Sequence, residues 1–497
     1  MSGIGLQALD IIVLIVYLFI ILFIGLWSSR KVKNTGDFFM AGRRLGIFMT
    51  AMLNFGTGTH SDQAVGVISK TYQVGLAGIW YQWLWLLKTP FDWIMSPIYR
   101  RLRVVTCADY FKKRFNQKVA SLYSVMAIII LMLTMGTMLL GSGRIIESVT
   151  AGQIPFAVSV IGMTILFVTY GMAGGFLAAA TTDILQGILT VVLSFILLPF
   201  AIVHVGGFSG LHEQLANKPH DMFTLINPEI GIFFIVMTVI NGIVNIAVQP
   251  HTIPISAACK TEMESRIGVT YGTYVKRICT VAWAFTGLCA IALFPSLENP
   301  DHAFGEIARL LLPTGMVGLL LASVLASVQS SCDAFMVTGS GIFTRNIYSV
   351  FVAKKKNESH YLLVGRISSL FVVAGGLLFA FYLPGVIKAL ELFWQIPALM
   401  GIPFWLGIFW RRANPAAVWV SFCGAACTFI ALETNLFGVS VSLPWQMFFY
   451  LSAGLIGGLV TGLVTKPQPK EFLDRFYEEV NRPVDKIEKI ASDTMSV

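Results

Sequence analysis

FMTAMLNFGTGTHSDQAVGV, residues 48–67, lies inside a hydrophobic run covering roughly 46–70, and its reading decides the fold. Gly56 and Gly58 fall mid-run, and His60, Ser61, Asp62 and Gln63 follow them. Ionisable side chains are costly in hydrocarbon, so a continuous lipid-facing helix would not carry this sequence. An unwound stretch does carry it, because irregular backbone at membrane depth is tolerated where it lines a cavity. A second run contains VMTVINGIVNIAVQPHTIPIS (236–256), with Asn241-Gly242, Asn245 and Gln249-Pro250-His251. It too reads as interrupted or sharply ended.

These are the second and seventh of thirteen hydrophobic runs, at roughly 9–28, 46–70, 77–98, 119–141, 154–174, 180–204, 230–250, 271–293, 313–341, 362–384, 387–410, 416–435 and 447–465. Runs two to six and seven to eleven then form halves of five spans, and an odd number makes their topologies opposite. Each half begins with a broken helix. That arrangement points to an inverted-repeat secondary transporter with its site near the midplane. The expected divisions are an extra span and loop (1–45), a first half (46–204), a second half (205–412), two further spans (413–465) and a cytoplasmic tail (466–497).

Composition agrees. Of 497 residues, 56% are hydrophobic and 12% charged, against roughly 25% charged in a soluble chain. A mean hydropathy of +0.75 excludes a water-soluble globule and a disordered chain. The first run has neither a basic region before it nor a small-residue cleavage site after it, so it reads as a retained span. With the N-terminus outside, twenty-three Lys and Arg fall on inner loops and five on outer ones, Lys276 and Arg277 counted among the inner. The net charge of +9 is therefore topological and does not indicate nucleic-acid binding. The basic, aromatic stretch 100–118 reads as lying on the inner membrane surface. The tail reads as amphipathic helices capping the cytoplasmic side. Seven scattered cysteines without a CxxC indicate neither disulfides nor zinc. No phosphate-binding loop, dinucleotide fingerprint or HExxH is present, so neither an enzyme nor an ATP-driven pump is indicated.

Three polar features remain inside the runs. Ser327, Ser330 and Ser331, at i, i+3 and i+4, stack their oxygens on one helical face, with Asp333 off it. Taken alone, such small residues read first as a packing face. Together with freed carbonyls they also make an oxygen cage suited to a hard monovalent cation. Asp183 is either a helix cap or an ion ligand. Lys88 and Asp92, at i,i+4, read as a charge-neutralising pair.

The motifs together resemble the sodium:solute symporters, the family of sodium/glucose, sodium/proline and sodium/pantothenate carriers. The resemblance covers nearly the whole chain. It rests on ADYFKKRF (Ala108–Phe115), YGMAGGFLAAATTDILQG (Tyr170–Gly187), QPH (Gln249–His251), SVQSSCDA (Ser327–Ala334) and GIFWRR (Gly407–Arg412). It implies an all-α, LeuT-type five-plus-five inverted repeat. It also implies a sodium site built from the carbonyls of Gly56 and Thr59, the hydroxyls of Ser330 and Ser331, and the carbonyl of Ser327. A second sodium site of some members would use Asp183 with Ser327, Ser330 and Ser331.

On the solute side the resemblance points to Asp62 and Gln63, which stand where sugar-carrying members have an acidic–Gln pair. Tyr81 replaces the family's glutamate, with Gln82 beside it. Asn241, Asn245 and Gln395 are further candidates, the last in a run that also holds Glu391 and Trp394. QPH and KRI-x-x-x-x-W (Lys276–Trp283) lean toward the proline and pantothenate branch, which leaves the solute open among sugars, amino acids and small carboxylates. The expected partners are this solute, Na+ and the lipid bilayer of the plasma membrane. No organic cofactor or protein partner is indicated. A proton-coupled carrier using Asp62, His60 or Asp183, and a transporter-like membrane sensor, are the alternatives.

Overall fold

The computed structural model describes residues 6–29, 46–102, 104, 106–216, 218, 221–257, 259–354, 356–436, 438 and 440–483, without side chains at 22, 25–29, 170–184, 254, 257 and 358. Among these residues the chain forms helices and no strand. Eight helices are long and apolar enough to cross a membrane, and shorter apolar helices join them.

The order begins with α1 (Ala8–Ser29), α2 (Ile47–Gly56), α3 (Ser61–Val74), α4 (Trp80–Leu102), α5 (Cys107–Arg114), α6 (Gln117–Val149), α7 (Phe156–Phe195), α8 (Leu197–His204) and α9 (Gly207–Leu215). It continues with α10 (Ile232–Ile246), α11 (Thr252–Ala257), α12 (Glu262–Leu293), α13 (Ala303–Leu311), α14 (Met316–Ile342), α15 (Glu358–Tyr382), α16 (Val386–Phe409), α17 (Pro415–Glu433), α18 (Leu443–Val464) and α19 (Lys470–Asn481). Residues 57–60 separate α2 from α3, and residues 247–251 separate α10 from α11. Both interruptions fall where glycine, or proline with its missing N–H, weakens the helical ladder.

α14 is the buried axis of the bundle, with 94% of its most apolar window inside the protein. α1 is latched to it: Asp10 Oδ1 accepts from the N–H groups of Gly315 and Gly318 at 2.7 and 2.8 Å. This places a carboxylate at the positive end of the α14 dipole. Farther along, Tyr17 Oη donates to Gln329 Oε1 at 2.6 Å.

α12 lies along both halves of the interrupted α2–α3 pair. A Cβ on Gly272 would stand 2.7 Å from the Ala51 carbonyl oxygen, and one on Gly287 3.1 Å from that of Ile68. The glycines let the helices touch at these points.

Three expectations change. Runs 154–174 and 180–204 are not separate helices: α7 is unbroken from Phe156 to Phe195. Residues 170–184 include glycines but no proline, so none of them lacks a backbone donor and the ladder continues. Lys276 and Arg277 are not loop residues. They lie within α12, 8% and 6% exposed, because a capping box of Thr261 and Glu264 starts the helix at Glu262.

Stretch 100–118 does not lie flat on a surface. Arg114 of α5 is fully buried and donates to the carbonyls of Gly407 and Ala413 at 2.8 and 3.0 Å, so it serves as a cation at the C-terminal end of α16. α19 covers this clamp with buried Leu473, Phe476 and Val480.

Candidate functional site

The break at residues 57–60 is held on two sides. On the α14 side, Ser331 Oγ stands 3.5 Å from the Gly56 carbonyl oxygen. That is long for an O–H···O hydrogen bond, whose usual range is about 2.5–3.0 Å. It suits two ligands of one ion: oxygens at about 2.4 Å from a hard cation, the distance calcium uses, lie about 3.4 Å apart at a right angle. Ser330 and Thr59 are buried as well, 2% and 0% exposed. Thr59 Oγ1 has no hydrogen-bond partner among the described residues. Ser327 Oγ is engaged with the Val324 carbonyl at 2.8 Å, within its own helix. All of these donors are hard neutral oxygens, a set that fits sodium and not a thiophilic metal. Asp183 falls within α7, but its side chain lies outside the described residues.

The second half of the broken helix is anchored by α6. Ser61 and Ser142 share a short hydroxyl–hydroxyl hydrogen bond. A Cβ on Gly141 would stand 2.5 Å from the Asp62 Cα. Asp62 is buried and turns to His60, with Oδ1 3.4 Å from the ring Nδ1. Phe335 of α14 links the two interruptions, because His60 meets its ring edge-on at 6.5 Å and His251 lies at 5.2 Å.

On the α12 side a cleft opens beside Gly58. Its wall includes Asn54, Gln63, Gln82, Lys88, Asp92, Gln249, His251, Thr273, Lys276 and Arg277. Gln63 folds back so that Nε2 donates to the Gly58 carbonyl at 3.0 Å, while its Oε1 is buried without a partner among the described residues. Gln82 accepts from Arg277.

Of the solute candidates read from sequence, Gln63 and Gln82 line this cleft and the others do not. Tyr81 donates to Glu391 Oε1 at 2.8 Å and packs on Trp394, ring centroids 5.0 Å apart. Asn241 and Asn245 both donate to the Trp394 carbonyl, at 2.8 and 2.9 Å, and so tie α10 to α16. Gln395 donates to the Glu391 carbonyl at 3.3 Å within α16. Asn54, Thr273, Lys276 and Arg277 were not among the sequence candidates. The T-E-M-E capping pattern at Thr261–Glu264, which places Lys276 and Arg277 well inside a helix, was the available signal.

Comparison with known proteins gives the same direction. A sodium/glucose cotransporter of Vibrio parahaemolyticus is 23% identical, with 89% of this chain and 85% of that one covered. The osmoregulated proline transporter OpuE of Bacillus subtilis is 26% identical, with coverage of 93% and 96%. Among solved structures, a Na+-coupled sialic acid symporter in a substrate-bound, outward-open state superposes with a TM-score of 0.78 at 18% identity, over 93% of this chain and 98% of that one. The fold is thus that of the LeuT-type transporters. Residues 38–424 match the sodium:solute symporter family as a whole, and with that match the chain is placed: it belongs to the sodium:solute symporter family.

Proposed function

We propose that this protein is a sodium-coupled secondary active symporter that imports a small organic solute across the plasma membrane by alternating access. The observation that carries the reading is the pairing of Ser331 Oγ with the Gly56 carbonyl across the break, spaced for a shared hard cation. Gly56, Thr59, Ser327, Ser330 and Ser331 would hold the ion. Asp183 with the three serines is the proposed second position.

The external N-terminus, cytoplasmic tail and opposed halves at 46–204 and 205–412 belong to the same proposal. The sodium/glucose relative and the Na+-coupled structural neighbour support it. Each inward sodium gains roughly 2.3 kcal/mol per 100 mV of membrane potential, in addition to its concentration gradient. Solute counterflow in proteoliposomes tests the coupling: exchange should depend on sodium, and should vanish when choline replaces it. Exchange that persists in choline and follows a pH gradient would favour a proton-coupled carrier.

Gln63 is expected to contact the solute, because its Oε1 is a buried acceptor without a partner among the described residues, in the cleft beside the break. Gln63→Ala should raise the apparent solute KM about five- to 150-fold, the equivalent of about 1–3 kcal/mol for an unpaired buried polar group. Sodium affinity without solute should change little. An unchanged KM would assign Gln63 to packing.

A further inference from the structure

The cleft beside Gly58 holds more positive charge than its own residues balance. Asp92 is the one carboxylate on its described wall, and both of its oxygens are taken by Lys88, at 2.9 and 2.8 Å. Thr273 Oγ1 adds a weaker contact at 3.4 Å. Arg277 spends Nε on the Thr273 carbonyl and Nη1 on the carbonyl and side chain of Gln82. Its Nη2 has no hydrogen bond among the described residues, and Lys276 Nζ has neither a hydrogen bond nor an ion pair among them. Both residues line the cleft, and both are buried at the middle of α12.

A charge held away from water without a counter-charge is strongly unfavourable, and ionisable groups at membrane depth mark solute or ion pathways. The C-terminal end of α2 faces Lys276: a Cβ built on Gly58 would stand 1.9 Å from its Nζ. That helix end offers about half an elementary charge to Lys276, less than a full counter-charge. His60 and His251 on the same wall supply no anion, and Asp62 is turned to His60.

We infer that the transported solute is a small organic anion whose carboxylate is held between Lys276 Nζ and the open Nη2 edge of Arg277. Gln63, Asn54 and Gln249 would receive its neutral part. This rests on the symport reading and narrows it. A guanidinium edge and an ammonium suit a carboxylate, which accepts several charge-assisted hydrogen bonds at once.

The test uses the purified full-length protein and pairs of probes that differ in the acid group: D-glucuronate and D-glucose, L-lactate and propane-1,2-diol, pantothenate and panthenol, N-acetylneuraminate and its methyl ester. Each is measured by thermal shift and by binding isotherm, in sodium and in choline. The expected result is that the acid of at least one pair raises the melting temperature and its neutral partner does not. Lys276→Met should weaken binding of that acid about tenfold or more, and Lys276→Arg should recover part of it. Sodium affinity without solute should stay at the wild-type value in both.

Gly58→Ala provides a second variant, because the added methyl displaces the lysine tip at a residue that does not need a positive φ. It should likewise weaken binding of the acid. The inference is overturned if no acid binds, if a neutral partner binds as well as its acid, or if Lys276→Met and Gly58→Ala both leave acid affinity within about twofold of wild type. Acid binding that is equal in sodium and choline would instead count against sodium coupling and leave the anion site standing.

Discussion

Asp92→Asn is expected to destabilise the protein by about 3–5 kcal/mol, more than the double replacement Lys88→Met/Asp92→Leu. Lys88 and Asp92 are 3% exposed, and Lys88 Nζ reaches both carboxylate oxygens at 2.9 and 2.8 Å. Their attraction roughly offsets the cost of removing both from water, so the pair adds little net stability. Deleting one partner leaves the other charge buried, and the full desolvation cost then appears. Here the remaining cation would face Lys276 and Arg277, which line the same cleft, so repulsion adds to the loss. The double variant removes both charges and keeps apolar volume on α4. Melting temperatures of the detergent-purified single and double variants check this. A double variant less stable than Asp92→Asn would mean that the pair stabilises the fold outright.

The sequence disclosed the interruptions better than the contacts around them. Glycine and proline in the middle of hydrophobic runs are local signals with a local cause, and the breaks at 57–60 and 247–251 hold Gly58 and Pro250. The small-residue face of Ser327, Ser330 and Ser331 was equally visible, since helical periodicity alone puts these residues together. What they face is not written in the residues themselves and came only through the family resemblance: the approach of Ser331 to Gly56 joins residues 275 apart in the chain.

Asn241 and Asn245 show the opposite failure. Polar groups at membrane depth read as solute ligands, yet both donate to the Trp394 carbonyl of α16. Nothing in the α10 sequence announces a carbonyl waiting on another helix. Arg114 misled in the same way. Basic and aromatic composition suggests a membrane surface, whereas its donors were required by carbonyls at the end of α16. Lys276 and Arg277 were counted with the inner-loop charges although they already fall inside the 271–293 run, and the helix that carries them starts nine residues before that run, at its capping box.

Ser331→Ala is expected to lower sodium affinity about 10- to 150-fold, if an ion–hydroxyl contact is worth about 1.5–3 kcal/mol, as a hydrogen bond to a charged group is. The substitution removes one oxygen from a fully buried position and preserves α14, since alanine is the better helix former. The effect on the solute should be indirect. An ion between α14 and the Gly56 carbonyl fixes the same break whose next residues, Gly58 and Gln63, shape the cleft. Sodium and solute then stabilise one arrangement, and each must tighten the other by the same factor. Solute affinity in Ser331→Ala should therefore fall at limiting sodium and return to the wild-type value at saturating sodium. Gln63→Ala should weaken the solute at every sodium concentration, so the two variants separate an ion ligand from a solute ligand. Asp183→Asn, which belongs to the second proposed position, should weaken uptake with a smaller effect on the primary site. Solute isotherms at a series of sodium concentrations decide the matter. If the curves of wild type and Ser331→Ala superimpose throughout the series, the ion does not bind between Ser331 and Gly56.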